Sequence, residues 1–210
     1  MKKTKKEKLD EFKREMILDA AWSVFTRKGF KEATMNDIAE EAQFALGTIY
    51  RIFKNKEDIF QTLLKLKLKG VHDIYLQSDD PSLNPMERIR IILKETYNYY
   101  HDNPQLLQIL NFDRWVIDKE FIKNIRSTCK DEFTEMRSMI MDIVKNGIQE
   151  GYFREIESDR VALVLKGVAT EFFWDSILSD EEIDIEELID EILFMVMNGI
   201  GSVSYKKSNY

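Results

Sequence analysis

Apolar positions along the chain recur at intervals of three and four rather than two, which is the period of an amphipathic α-helix. Only three prolines and eight glycines punctuate the 210 residues, so the pattern predicts an all-α protein. Leu9, Phe12, Met16, Ala20, Val24 and Phe25 form one face of a first helix over about Lys8 to Lys28. Arg27 and Lys28 complement the dipole at its end, and Gly29 supplies the left-handed residue that stops it. Thr34, with Asp37 three residues on, reads as a capping box for a short helix from Met35 to Ala42, and another follows from Leu46 to about Phe53. Asn55 caps a fourth, with Glu57 and Asp58 in the first turn where acidic side chains favour the positive end of the dipole. It runs to about Tyr75, a span of roughly 30 Å.

The segment SDDPSLNP, residues 78 to 85, is the clearest loop, and its end doubles as a helix start: Asn84 as cap, Pro85 at the first helical position, Glu87 closing the box. Asn103 and Pro104 repeat the device. Helices are predicted over about Pro85 to His101, Pro104 to Phe112, Lys119 to Glu150 with Gly151 as terminator, Asp159 to Leu178, and Ile185 to Gly199. Nine helices in all divide into a three-helix unit over residues 1–54 and a larger helical domain over 55–210.

A hydrophobic content of 44% suffices for a sizeable core without disulfides or metals. The N-terminal MKKTKKEKLDEFKRE is charged throughout, unlike an export signal, and no segment approaches the roughly 20 apolar residues of a membrane span. A cytoplasmic protein is expected. The single cysteine, Cys129, lies on a helical apolar stripe and reads as a buried structural residue. His72 and His101 fall on different helices with no metal-site spacing, and neither a nucleophile elbow nor a glycine-rich phosphate loop occurs. The sequence therefore points away from an enzyme and implies no metal or cofactor.

Charge is divided unevenly. Residues 1 to 56 hold ten lysines and three arginines against six glutamates and three aspartates, net +4, while the remainder carries −11 of the total −7. A local cationic field can attract phosphates although the whole chain is acidic, because charges beyond the Debye length of about 8 Å are screened.

The two short helices have the form of a helix-turn-helix, whose second helix enters the DNA major groove. Ile38, Ala39 and Ala42 can pack against Ile49 and Phe53 over the Val24 and Phe25 face of the first helix. That leaves Leu46, Gly47, Thr48, Tyr50, Arg51 and Lys54 facing outward, a mixture able to read bases and bind phosphates. Residues 17 to 60, ILDAAWSVFTRKGFKEATMNDIAEEAQFALGTIYRIFKNKEDIF, resemble the N-terminal domain of the TetR family of bacterial transcriptional repressors. The resemblance implies phosphate contacts from Thr34, Tyr50, Lys54 and Lys56, and base-edge contacts from Leu46, Gly47, Thr48 and Arg51. Gln43 stands at the corner where members usually carry glycine, and Ala45 where serine is frequent.

The rest of the chain resembles the family more loosely, through its length, helix count and the pattern GIQEGYF. Its aromatic and methionine-rich segments, residues 97 to 115 and 133 to 143, are of the kind more often found in cores, but the family the chain resembles encloses a small-molecule pocket in this half. Tyr97, Tyr100, Phe112, Trp115, Phe133, Met136, Ile140, Phe173 and Trp174 are the candidate lining, which implies a hydrophobic or planar effector. Arg114 either pairs with Asp113 or Asp118, or meets an anionic headgroup such as that of a fatty acyl-coenzyme A. The family also dimerises through its last two long helices. Val161, Leu165, Val168, Ala169 and Phe172 on one, with Leu188, Ile189, Ile192, Val196 and Ile200 on the other, are the candidate stripes, and they also suit an interior.

The resemblance thus implies a ligand-responsive repressor that binds a pseudo-palindromic operator as a homodimer and is released by a hydrophobic effector. A helical protein–protein adaptor without DNA binding is the alternative, and an enzyme a more remote one.

Overall fold

The computed structural model describes residues 4–78, 80–110, 123, 127–179 and 183–198. Nine helices can be bounded among them, and none of the described residues is in a strand: α1 Lys5–Glu32, α2 Met35–Glu41, α3 Leu46–Ile52, α4 Lys56–Ser78, α5 Pro85–Asp102, α6 Pro104–Leu110, α7 Lys130–Gln149, α8 Ser158–Leu178 and α9 Ile185–Asn198. They divide into two compact units, Met1–Leu68 with Lys123–Cys129, and Lys69–Ile122 with Lys130–Tyr210. The expected division after residue 54 falls just before α4, whereas the units part inside that helix, between Leu68 and Lys69.

In the first unit, α1 begins three residues earlier than its apolar face predicts. Thr4 Oγ1 accepts the Glu7 N–H at 3.3 Å while the Glu7 carboxylate accepts the Thr4 N–H at 2.7 Å, a capping box that starts the helix at Lys5. The early part of the expected face does not enter the core: Leu9, Phe12 and Met16 are 52%, 57% and 39% exposed. Burial starts at Ile17 and continues through Leu18, Ala21, Val24 and Phe25, once the helix has other helices to pack against. Gly29 breaks the helix at φ 77°, as its left-handed freedom allows, and one further turn follows. Phe25, Phe30 and Phe60 then form a triangle with centroids 4.7–5.6 Å apart.

The second unit packs α5, α7, α8 and α9 around Ile89, Ile92, Ile143, Val144, Ile189 and Ile192, each no more than 1% exposed. Asn84 caps α5 by accepting the N–H groups of Met86 and Glu87, both at 3.0 Å, with Pro85 at the start. Gly151 ends the segment after α7 at φ 80°. Cys129 is buried, in a turn just before α7, so the single long helix expected from Lys119 is interrupted there; the stretch 111–122 lies outside the described residues. Arg90 pairs with Asp190, and Lys94 with Glu186, tying α5 to α9, while Arg137 pairs with Asp159 between α7 and α8. No helix among the described residues is long and apolar enough to cross a membrane.

Candidate functional site

The first unit's chemistry follows from which side of α2 and α3 the core consumes. Ile38, Ala39, Ala42, Ile49 and Phe53 are all at most 7% exposed, so their helical positions are spent on packing. What remains outward is Gly47, Tyr50, Arg51 and Lys54, exposed, with Leu46 and Thr48 half-buried at the edge. Thr34 is exposed at the N-terminus of α2, where its oxygen accepts the Asp37 N–H at 3.1 Å and its own N–H reaches the Asp37 carboxylate at 3.0 Å. The N–H groups of that first turn that no side chain caps remain available to an anion.

Two acids on α2 are neutralised locally. The Lys28 ammonium donates to Asp37 at 2.8 Å, and with Thr34 it holds that carboxyl below its ordinary 3.8. Arg27 and Ser23 donate to Glu41 at 2.9 and 3.0 Å and hold it below 4.5. These pairs lock α2 to α1 and cancel charge that would repel a phosphate.

The tight corner takes an unusual residue. Gln43 adopts φ 56°, the left-handed region that glycine enters freely and that strains other residues by about 1–2 kcal/mol. Ala45 caps α3 with no side-chain hydrogen bond, as an alanine must. Gly47, in the first turn of α3, is open: a Cβ built there meets nothing within 4 Å.

The cations differ in how far they are already committed. Lys56 donates to the carbonyls of Ala33 and Lys31 at 2.7 and 3.2 Å and sits 4.7 Å over the Phe30 ring, so it staples the α1–α2 corner and keeps one N–H for a phosphate. Arg51 is 3.8 Å from Asp10 with 61% of its side chain exposed, a loose pair that a phosphate or guanine can displace. Asp10 was not anticipated from the sequence, since nothing local joins α1 to the end of α3.

In the second unit, Tyr97, Ile140 and Phe173 belong to the buried core, with Tyr100 and Trp174 packed against it. Phe173 lies 5.3 Å from Tyr97 and 6.4 Å from Tyr100, and the Tyr97 and Ser176 hydroxyls are 2.8 Å apart. Met136 is buried, and Phe133 is half-buried with the Lys166 ammonium 4.8 Å over its ring. Phe112, Arg114 and Trp115 lie outside the described residues, with the alternative partners Asp113 and Asp118. Tyr75 and Tyr100 behave differently from their neighbours. Each keeps accessible surface, yet desolvation pushes the Tyr75 hydroxyl up to about 12 and Tyr100 upward as well. Both rings pack against the core cluster of this unit, with part of their surface left accessible. Tyr75 escaped the sequence reading because only the fold brings it beside α5.

The candidate dimer stripes divide by burial. Leu165, Ala169, Leu188, Ile189 and Ile192 are between 0% and 7% exposed within one chain, and Val161, Val168, Phe172 and Val196 pack against the same core. A stripe's periodicity does not say whether it faces its own chain or another; the five buried residues face their own, and the other four keep part of their surface. Ile200 lies outside the described residues. The large apolar residues left outward on α8 and α9 are Leu163, Val164, Leu178, Phe194 and Met195, 42–65% exposed.

A helix-turn-helix with its reading face open, joined to a larger helical unit, defines a bacterial DNA-binding regulator. The model of the bacterial regulatory proteins of the tetR family matches residues 17–63. The chain is 41% identical over 144 residues to the HTH-type transcriptional regulator YfiR of Bacillus subtilis (strain 168), covering 67% of this chain and 68% of that protein. It is 24% identical over 185 residues to the fatty acid metabolism regulator protein of the same organism, covering 88% of this chain and 93% of that one. The crystal structure of FadR from Bacillus subtilis in complex with stearoyl-CoA matches with a TM-score of 0.75 at 22% identity, over 89% of this chain and 99% of that one. The protein belongs to the TetR family of transcriptional regulators.

Proposed function

We propose that the protein is a repressor that binds a pseudo-palindromic operator as a homodimer and lets go when a hydrophobic effector, most simply a long-chain fatty acyl-coenzyme A, enters its second half. The observation that carries the DNA reading is the division of α3: Ile49 is fully buried while Tyr50 and Arg51 on its other side stand in solvent. Residues 1–54 form the reading head, with Thr34, Tyr50, Lys54 and Lys56 on phosphates and Leu46, Gly47, Thr48 and Arg51 at base edges. Residues 55–210 take the effector and the partner subunit.

Half-sites one DNA turn or a multiple of it apart, about 34 Å, require two heads fixed by a dimer. The exposed residues Leu163, Val164, Phe194 and Met195 supply its apolar contacts, and the exposed Gly167 between them allows a second copy to approach closely. The effector class is supported by the similarity to a fatty acid metabolism regulator and to a structure holding stearoyl-CoA, and by the partly accessible, desolvated tyrosines of this chain. Effector binding acts by favouring one of two arrangements of α4, whose residues contribute to both units, and so changes the spacing of the heads. The setting is the cytoplasm, where the DNA is.

Fluorescence anisotropy on a fragment of the protein's own promoter tests this. Affinity is expected to fall steeply with rising salt and to be lost on adding stearoyl-CoA. A ligand that binds the second half and leaves operator affinity untouched would rule the mechanism out.

A further inference from the structure

The buried side of α5 carries a polar atom that nothing so far uses. Thr96 is 6% exposed, and its Oγ1 meets no hydrogen-bond partner among the described residues. Orphaned hydroxyls of this kind are rare inside proteins, because burial without a bond forfeits the water the group left behind. Tyr100 stands one turn further along the same face, about 40° round the helix axis. Its ring rests 6.4 Å from Phe173, which is 1% exposed and closes that side with carbon.

Across from α5 is α4. The Tyr99 side chain of α5 reaches across to Gly70, where a Cβ would lie 2.4 Å from its hydroxyl, and Tyr75 follows further along α4. The Tyr75 hydroxyl is near enough to Tyr100 to raise its pKa further, beyond what burial alone does. Both phenols therefore stay protonated at any physiological pH and can donate. The Tyr97 hydroxyl takes no part, being bonded to Ser176.

We infer that Thr96, with Tyr75 and Tyr100, forms a neutral polar subsite that donates hydrogen bonds to the carbonyl oxygen of an otherwise apolar effector held between α4 and α5. The inference rests on the effector-binding role proposed above and specifies which part of the ligand is read. O–H donors among apolar walls suit a neutral acceptor with two lone pairs; a thioester, ester or ketone carbonyl has them, and a saturated chain does not. A carboxylate placed there would be a buried charge without a cation from these three residues.

The test pairs one substitution with two probes on the full-length protein. Stearoyl-CoA carries the carbonyl; S-octadecyl-CoA has the same chain and headgroup with a methylene in its place. By calorimetry the unaltered protein is expected to bind the thioester about tenfold more tightly than the thioether. Thr96→Val, which keeps the shape, is expected to remove most of that preference by weakening the thioester and leaving the thioether unchanged. Its ligand-free melting temperature should not fall, because the hydroxyl has no bond to lose. Equal binding of both probes by the unaltered protein, an equal loss for both in Thr96→Val, or a lower melting temperature in that variant overturns the subsite. If neither probe binds, the acyl-coenzyme A reading itself falls, and the carbonyl subsite argued for it falls too.

Discussion

The two halves of the chain use apolar residues in opposite economies. In the reading head α2 and α3 have seven residues each, so the two sides of each helix separate cleanly: Ile38, Ala39 and Ile49 are at most 7% exposed, while Gly47, Tyr50 and Arg51 stand in solvent. Whatever is left over is the functional surface. In the larger unit apolar residues are abundant on every helix, and core, pocket and subunit contact all draw on the same types. Phe173, Tyr100 and Phe194 all carry a six-membered aromatic ring, yet the first is buried, the second keeps some surface while desolvated, and the third is 65% exposed.

The largest effect expected from this contrast is at Phe173. Its ring is enclosed by the second unit's own core, so Phe173→Ala should lower unfolding free energy by about 3–5 kcal/mol, read from urea or thermal melts. A loss below about 1 kcal/mol would mean that the ring borders open space, and the distinction drawn between it and Tyr100 would be wrong.

Within the head the same contrast separates two cations. Lys56→Met leaves the Ala33 and Lys31 carbonyls without their donor, so a stability loss of about 1–3 kcal/mol is expected. Arg51→Ala should leave the melt within about 0.5 kcal/mol, since its pair with Asp10 is long and exposed, and should weaken operator binding by about 1–3 kcal/mol. Reversed behaviour, with Arg51 structural and Lys56 purely a DNA contact, would break the assignment.

The sequence made the head legible because its signals are local. The Thr34–Asp37 box and the stop at Gly29 each need only a few neighbouring residues, as does the Asn84–Glu87 box of the larger unit, and each is present. The Thr4–Glu7 box is just as local, but a lysine-rich stretch read as a solvated terminus hid it. What could not be read was whatever depends on two distant segments: the Arg51–Asp10 pair, the commitment of Lys56 to a corner, and the enclosure of Tyr75. The stripes on α8 and α9 are a different case. Their period was right, but a period fixes which residues share a face and leaves open what the face meets.

The smallest expected effects concern two positions of the turn whose residue types look exchanged. Gln43 holds φ 56°, so Gln43→Gly should relieve strain and stabilise the protein by about 1 kcal/mol, with operator affinity maintained. Gly47 is the mirror case: it is helical, and an added methyl meets nothing in the protein. Gly47→Ala should therefore stabilise by about 0.5 kcal/mol through propensity alone. The open space beside Gly47 is, on the proposed docking, the space DNA fills, so the same methyl should lower operator affinity while it raises the melting temperature. Paired melts and anisotropy titrations on this one variant separate the readings, because a helix whose outer face met nothing would gain stability and keep its affinity for DNA.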